Sequence, residues 1–282
     1  MNWDRDLPAW PLSAHSRRIR CRPHEWHVQE MGTGPLLLLL HGAGASTHSW
    51  RDLIPGLAQT HRVVALDLPG HGFTRVGNRL RMGLERTAED IAALCKAEDW
   101  QPVGLIGHSA GAAVAIELSR LLAPQPRVVA LNAALDRFDG VAGWLFPIFA
   151  KMLALNPFTS LTFTIGGNSA KRARAIIDST GSRLSEEGYR LYARLLASPI
   201  HVDGTLQMMA RWSTDTLYDQ LPSVACPTRL ITGARDAAVP PRVSERAASR
   251  LQNAEHLNLP DLGHLAHEEA PDQIVKLIQD WC

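Results

Sequence analysis

The 282-residue sequence predicts an open α/β sheet, mostly parallel and flanked by helices. Short apolar runs recur along the chain without polar alternation, as expected for strands that are covered on both faces. Helical patterns lie between these runs, and such alternation of strand and helix is typical of parallel sheets. The predicted central strands are residues 36–40, 63–66, 103–106, 128–131, 229–232 and 256–259.

The other elements follow from periodicity and turn residues. Residues 18–22 and 25–29 alternate apolar and polar side chains and predict half-exposed strands, with a turn at 32–35. The arginines at 17, 18, 20 and 22 indicate an edge strand protected by charge, and contact with an anion is the alternative interpretation. Thr87 and Asp90 have the spacing of an N-terminal helix cap. The predicted helices of the sheet layers are residues 50–59, 87–99, 110–122, 241–251 and 271–281.

A long segment interrupts this alternation. Residues 138–221 contain no strand pattern, but they contain helical patterns at 141–154, 170–178, 185–197 and 203–213. An all-helical insertion between two sheet strands predicts a lid over a site. We therefore expect a core formed by residues 1–137 and 222–282, with the lid at 138–221.

Composition narrows the range of functions. Lys and Arg total 29 against 28 acidic residues, so electrostatics gives no reason to expect nucleic acid as a partner. The four cysteines are scattered, as in reduced proteins of the cytoplasm, and neither a secretory signal nor a transmembrane run is recognisable. The 12 histidines form no HExxH or similar pattern, and we predict neither a metal site nor a cofactor.

The most informative motif is Gly107-His108-Ser109-Ala110-Gly111, a G-x-S-x-G run. It stands between a predicted strand and an Ala-rich helical segment. A serine at such a tight strand-to-helix turn, the nucleophile elbow, needs neighbours that are almost free of side chain. Free N–H groups at the start of the helix stabilise negative charge beside the serine. The motif predicts that Ser109 is a nucleophile, whereas a glycine-rich turn with an ordinary serine cap is the alternative.

A serine nucleophile requires a base and an acid that orients the base. His264 follows the last predicted strand, and Asp236 follows the strand before it. Both therefore belong to the carboxyl edge of the sheet, where open α/β sheets place their sites. We predict a Ser109–His264–Asp236 triad. His267 is the alternative base, and Asp136 is the alternative acid.

An oxyanion that forms during attack by serine must be met by positioned N–H donors. One donor is predicted at Ala110, directly after the nucleophile. The other is predicted at Ala43, in the glycine-rich loop 41–46 that leaves a buried strand. Together these two amides would form the oxyanion hole.

These motifs together resemble the α/β-hydrolase superfamily over essentially the whole chain. The resemblance implies an eight-stranded, mostly parallel sheet flanked by helices, with an all-helical lid insertion. Serine at 109 departs from the aspartate of the dehalogenase and epoxide-hydrolase branches. More narrowly, the chain resembles the magnesium-chelatase accessory proteins of photosynthetic bacteria. That resemblance is carried by the runs WHVQ at 26–29, HGAGASTHSWRDL at 41–53 and DLPGHGFT at 67–74.

The narrower resemblance implies a role in bacteriochlorophyll biosynthesis, around the insertion of magnesium into protoporphyrin. It also implies contact with magnesium chelatase and a cytoplasmic protein that contacts the photosynthetic membrane peripherally. The lid residues Trp144, Phe146 and Phe149 suit a small apolar substrate such as a tetrapyrrole, although packing of lid on core explains them equally well.

Three hypotheses of function follow. The first is a serine hydrolase that acts on an ester-like bond, of a tetrapyrrole or of an unrelated small apolar ester. The second is a non-catalytic protein that binds porphyrin and assists the chelatase. The third is another reaction of the same residues, such as hydrolysis of a C–C bond.

Overall fold

The structure, a computed structural model, describes residues 1–136 and 168–282. Eight strands form one sheet in the order β1-β2-β4-β3-β5-β6-β7-β8. The strands from β3 onward pair in parallel, whereas β2 is antiparallel to both β1 and β4. The predicted eight-stranded, mostly parallel sheet is confirmed. The strands are β1 (Ser16–Cys21), β2 (His24–Met31), β3 (Leu36–Leu40), β4 (Arg62–Leu66), β5 (Pro102–His108), β6 (Arg127–Leu131), β7 (Thr228–Gly233) and β8 (Ala254–Leu259).

The continuous apolar runs are explained by burial on both faces of the sheet. In β3, Leu38 and Leu40 pack in one apolar cluster, and Leu37 and Leu39 pack in a second cluster on the opposite face. All four leucines are fully buried. Because successive strand residues point to opposite faces, only a strand covered on both sides can be apolar throughout.

The helices agree with the predicted pattern but differ in their limits. Every helix in the described part of the chain is too short or too polar to cross a membrane. We number the described helices in chain order. They are α1 (Trp3–Asp6), α2 (Ile54–Leu57), α3 (Leu84–Ala97), α4 (Ala110–Ser119), α5 (Ser169–Ser179), α6 (Glu186–Leu196), α7 (Pro199–Met209), α8 (Asp215–Gln220), α9 (Arg242–Arg250), α10 (Ala266–Glu269) and α11 (Pro271–Gln279).

The predicted cap on α3 is wrong. The helix begins at Leu84 after Gly83, so Thr87 lies inside it and is buried. The Asp90 carboxylate does not cap the helix, because it accepts hydrogen bonds from Arg81 at 2.9 and 3.0 Å and contacts the His24 ring at 3.1 Å. Both partners come from outside the helix. The spacing of Thr87 and Asp90 in the sequence therefore gives no indication of this pairing.

Two other helix predictions shift. In place of a helix over 50–59, the structure has a 3-10 turn at Thr47–Trp50 and the single turn α2, which contains Pro55 and Gly56. The fourth lid pattern, predicted at 203–213, is the helix α7 that begins at Pro199, and a proline is well suited to the first helical turn. The helix predicted at 141–154 lies outside the described residues. Between β6 and β7 the described residues form α5 to α8.

Candidate active site

Ser109 occupies a strained turn between β5 and α4. Its backbone has φ +53° and ψ −116°, outside the regions that L-residues favour. The two glycines of the motif allow this close packing. A Cβ on Gly107 would lie 2.4 Å from the Gly111 carbonyl oxygen, and one on Gly111 would lie 2.1 Å from the Leu40 oxygen. The motif therefore holds the serine at the point where helix α4 begins.

His264 and Asp236 form a hydrogen-bonded pair at the carboxyl edge of the sheet. The His264 Nδ1–H donates to Asp236 Oδ2 at 2.8 Å, and both residues are buried. The other ring nitrogen, Nε2, is left for a second partner. This is the arrangement that a catalytic base needs, because the acid fixes the tautomer and the orientation of the ring.

The Asp236 carboxylate is held by further donors. Oδ2 also accepts from Asn132 Nδ2 at 2.8 Å, and Oδ1 accepts from the N–H groups of Ala238 and Val239 at 2.9 and 2.7 Å. By contrast, the alternative acid Asp136 pairs with Arg246. The structure thus places Asp236, and not Asp136, against His264.

His108 connects the serine turn to the histidine loop. Its Nε2–H donates to the His264 carbonyl oxygen at 2.9 Å, and the two rings lie 4.8 Å apart. Burial lowers the pKa of His108 well below its ordinary value, so the ring is neutral. Since His108 directly precedes Ser109, this contact joins the serine turn to the chain segment that carries His264.

The glycine-rich loop 41–46 lies against the same turn. A Cβ on Gly42 would lie 2.8 Å from His108 Nδ1 and 3.1 Å from Ser109 Cβ. Ala43 directly follows Gly42 in this loop, and Ala110, the first residue of α4, directly follows Ser109. N–H groups in a first helical turn have no partner within the helix, so the Ala110 amide is suited to receive an oxyanion.

His201 is a site residue that the sequence did not indicate. It lies on α7, is buried, and accepts a hydrogen bond from the Gly72 N–H through Nδ1 at 3.1 Å. Because Nδ1 is the acceptor, Nε2 carries the proton and donates to the Gly44 oxygen at 3.1 Å. Burial lowers the pKa of His201 to about 3, which keeps the ring neutral. Helix α7 thus holds the loop that contains Ala43.

His267, the alternative base, is enclosed and has no hydrogen-bond partner on either ring nitrogen within the described residues. It packs on the rings of Trp50, at 4.7 Å, and His108, at 4.5 Å. Burial lowers its pKa to about 3. This position suits a packing residue and not a base that exchanges protons with a substrate.

A buried ion pair joins Arg51 to Glu268, which lies four residues beyond His264. Arg51 donates to Glu268 Oε2 at 2.6 Å, and Tyr192 of α6 donates to Glu268 Oε1 at 2.7 Å. Burial raises the pKa of Glu268, although the charge and hydrogen bond of Arg51 oppose that shift. Arg51 belongs to the run at 41–53, so this part of the motif holds the Glu268 carboxylate that Tyr192 of α6 also contacts.

Asp67, in the loop after β4, fixes neighbouring chain segments. It accepts from His27 Nδ1 at 2.6 Å and from the N–H groups of Thr47 and Phe73 at 2.7 and 2.8 Å. Burial opposes ionisation, but the charge of His27 and these hydrogen bonds hold the pKa of Asp67 well below its ordinary value. The DLPGHGFT run therefore has a structural role around the site.

Some predictions cannot be placed. Trp144, Phe146 and Phe149 lie outside the described residues. Within residues 1–136 and 168–282, no group of three or more His, Cys, Asp or Glu side chains is arranged to hold a metal ion.

Comparison with known proteins agrees with this geometry. A profile of the family described as alpha/beta hydrolase fold matches residues 35–271. The chain is 48% identical over 280 residues to the magnesium-chelatase 30 kDa subunit of Rhodobacter capsulatus, and the match covers 98% of each chain. It is 30% identical over 266 residues to the pimeloyl-[acyl-carrier protein] methyl ester esterase of Xanthomonas oryzae pv. oryzae, covering 90% of this chain and 97% of the esterase.

Solved structures show the same fold. An esterase from Thermogutta terrifontis superposes with a TM-score of 0.74 at 24% identity, over 94% of this chain and 97% of the esterase. The epoxide hydrolase CorEH superposes with a TM-score of 0.79 at 20% identity, over 94% and 97% of the two chains.

Proposed function

The chain belongs to the α/β-hydrolase fold family, as a homologue of the magnesium-chelatase 30 kDa subunit, and from that membership we propose that it is a serine hydrolase. In this proposal Ser109 is the nucleophile, His264 the base and Asp236 the acid. The observation that carries it is the 2.8 Å hydrogen bond from His264 Nδ1 to Asp236, on a segment that His108 joins to the strained turn of Ser109.

The proposed reaction follows from the roles of these atoms. His264 Nε2 takes the hydroxyl proton of Ser109 as Oγ attacks the carbonyl carbon of an ester. The amides of Ala43 and Ala110 receive the oxyanion. The ester C–O bond then breaks, the leaving alcohol takes the proton from His264, and the acyl group stays on Ser109 Oγ. Water attacks this acyl group as His264 takes a proton from the water, and the bond to Oγ breaks as Oγ recovers a proton from His264, which releases the acid. The 30% identity to a methyl ester esterase supports an ester as the bond that is cleaved.

We propose that the protein acts beside magnesium chelatase, in the bacteriochlorophyll pathway. The 48% identity to a protein named as a subunit of that enzyme, over nearly the whole of both chains, supports it. The substrate class proposed is a small apolar ester, and an esterified tetrapyrrole fits the pathway.

A fluorophosphonate probe, which reacts with activated serines, tests the proposal. We expect wild type to be labelled and Ser109→Ala to be unlabelled. Removal of a triad member commonly costs about 10⁴-fold in rate, so His264→Gln and Asp236→Asn should label far more slowly. Ser249→Ala, on the exposed face of α9, is the matched control and should label like wild type. No labelling of folded wild type would refute the proposal.

A second function is favoured by the similarity to the Rhodobacter capsulatus protein, because that protein is named as a chelatase subunit and not as a hydrolase. In this alternative the protein assists magnesium insertion without catalysis. Magnesium insertion into protoporphyrin by the chelatase, measured with wild type and with Ser109→Ala, separates the two. Equal stimulation supports the assisting role, whereas loss of stimulation supports the hydrolase.

A further inference from the structure

The hairpin of β1 and β2 extends beyond the sheet at the catalytic edge. Val28 of β2 pairs with Leu66, the last residue of β4, so the first four residues of β2 project past the end of that strand. Since β2 is antiparallel to β4, the hairpin tip lies at the carboxyl edge, where the loops of the candidate site also lie. The tip is therefore on the same side of the molecule as Ser109.

An open groove of about 430 Å³ lies between this tip and the chain that follows β4. The two walls touch closely, since a Cβ on Gly77 would lie 1.6 Å from the Pro23 oxygen. Glu25 and Arg75 exchange backbone hydrogen bonds at 2.9 and 3.1 Å across the groove. The cavity is therefore a built part of the fold and not a gap between loose loops.

Arginines dominate the lining of the groove. Arg20, Arg22 and Arg75 line it, with Glu25 as the acidic group that opposes them. The Glu25 carboxylate pairs with two arginines, since Arg18 Nη1 lies 3.5 Å from Oε1 and Arg75 Nη1 lies 3.9 Å from Oε2. In the described part of the chain, Arg20 and Arg22 are exposed and form no ion pair. On a chain whose net charge is only +1, this is a local excess of positive charge.

A large apolar side chain stands beside the groove. Leu80 is 77% exposed, the highest exposure among the exposed large hydrophobic residues of the described chain. It lies in the short turn Arg79–Arg81, three residues after Gly77. The turn is held to the groove, because Arg81 donates to Asp90 at 2.9 Å and Asp90 contacts His24, which lines the groove.

We propose that this surface, formed by Arg20, Arg22, Arg75 and Leu80, docks the protein on an anionic lipid bilayer, with phosphate headgroups at the arginines and Leu80 in the interface. A polyanion without apolar groups would satisfy the arginines but would leave the leucine in water. A bilayer provides both. Docking by the hairpin tip turns the catalytic edge toward the membrane, which suits a substrate that partitions into lipid. The proposal does not depend on hydrolysis by Ser109.

Sedimentation with vesicles tests this proposal. The full chain is mixed at low salt with vesicles of phosphatidylcholine alone, or with about 30% phosphatidylglycerol, a composition that supplies the negative surface on which basic side chains depend. We expect binding to the anionic vesicles only, and release at high salt, because surface charges are screened. Each arginine near such a surface contributes about five-fold, so Arg20→Glu/Arg22→Glu should weaken binding by at least about 25-fold. Leu80→Ala should weaken it by about ten-fold.

The matched control is Arg190→Glu/Lys276→Glu, which makes the same change of net charge at exposed positions outside the surface. It should reduce binding far less than the hairpin variant, and circular dichroism checks that all variants are folded. Equal losses in the two double variants would overturn the proposal, as would equal binding to neutral vesicles.

Calorimetry with inorganic phosphate and retention on polyglutamate complete the test. Binding to either, without binding to anionic vesicles, would assign the groove to a free anion or to an acidic protein instead.

Discussion

Replacing His267 by leucine should stabilise the protein, and should do so more strongly at acid pH. The ring is enclosed, neither nitrogen has a partner within the described residues, and its pKa is lowered to about 3. A buried polar group without a hydrogen bond costs about 1–3 kcal/mol. Leucine is close to imidazole in volume and favours a helix, but it loses the aromatic contacts, which are worth about 1 kcal/mol. At pH 7 we expect a net gain of about 1 kcal/mol.

The pH dependence follows from proton linkage. The pKa of His267 lies below the ordinary value of 6.5, so between pH 6.5 and 3 the unfolded chain binds a proton that the folded chain does not. The wild type therefore loses stability as pH falls through this range, by about 1.4 kcal/mol for each pH unit. At pH 5 the loss from this residue is about 2 kcal/mol, and His267→Leu removes it. The gain in the variant should grow from about 1 kcal/mol at pH 7 to about 3 at pH 5.

Urea unfolding followed by tryptophan fluorescence at pH 5, 6, 7 and 8 measures these free energies. The change between pH 7 and pH 5 is the decisive quantity, because packing differences cancel in it. Ser249→Ala, at the exposed position already used as a control, removes no titratable group and should leave the slope of stability against pH unaltered. A gain in His267→Leu that is the same at pH 5 as at pH 7 would refute the linkage argument.

Three further predictions test the packing around the site. Gly111→Ala should cost more than about 3 kcal/mol in urea unfolding, because its Cβ would lie 2.1 Å from a carbonyl oxygen of β3. Arg51→Met leaves the Glu268 carboxylate buried without its cation and should cost about 3–5 kcal/mol at pH 8, whereas adding Glu268→Gln should recover part of the loss. At His201, Gln can keep the donor to Gly44 and Asn cannot. Labelling of Ser109 by fluorophosphonate should therefore fall about ten-fold in the Asn variant and less than about three-fold in the Gln variant, and equal rates in the two would contradict the role given to this ring.

The sheet was predictable from the sequence because its strands are buried on both faces. Five consecutive leucines at 36–40 predict a segment that is buried on all sides, and in the structure they form β3. The number of strands came with the resemblance, whereas the order of the strands and the antiparallel direction of β2 were not predicted, because they depend on pairing between distant segments. The limits of α3 were not predictable, because Asp90 is paired with Arg81 and His24 and this pairing is absent from the local spacing.

The candidate site was predictable where a residue directly follows a strand. Asp236 and His264 were found in this way, and the structure joins them by a hydrogen bond. Asn132 also directly follows a strand and has the positive φ that asparagine tolerates, so the same rule could have found it. His201 gives no such signal. Its partner Gly44 is 157 residues away, and nothing in the sequence around a lid helix indicates that contact.

Helices α6 and α7 hold both halves of the candidate site. From α7, His201 holds the loop of Ala43, and from α6, Tyr192 holds Glu268, four residues beyond His264. Each contact buries a polar group that would need a new partner if its helix moved away, at a cost of about 1–3 kcal/mol for each group left unpaired. An opening motion of α6 or α7 would therefore disturb the proposed oxyanion donor and the proposed base together. In the proposed hydrolase, α6 and α7 would therefore have to be in place at the moment of attack, when the oxyanion donor and the base are both needed.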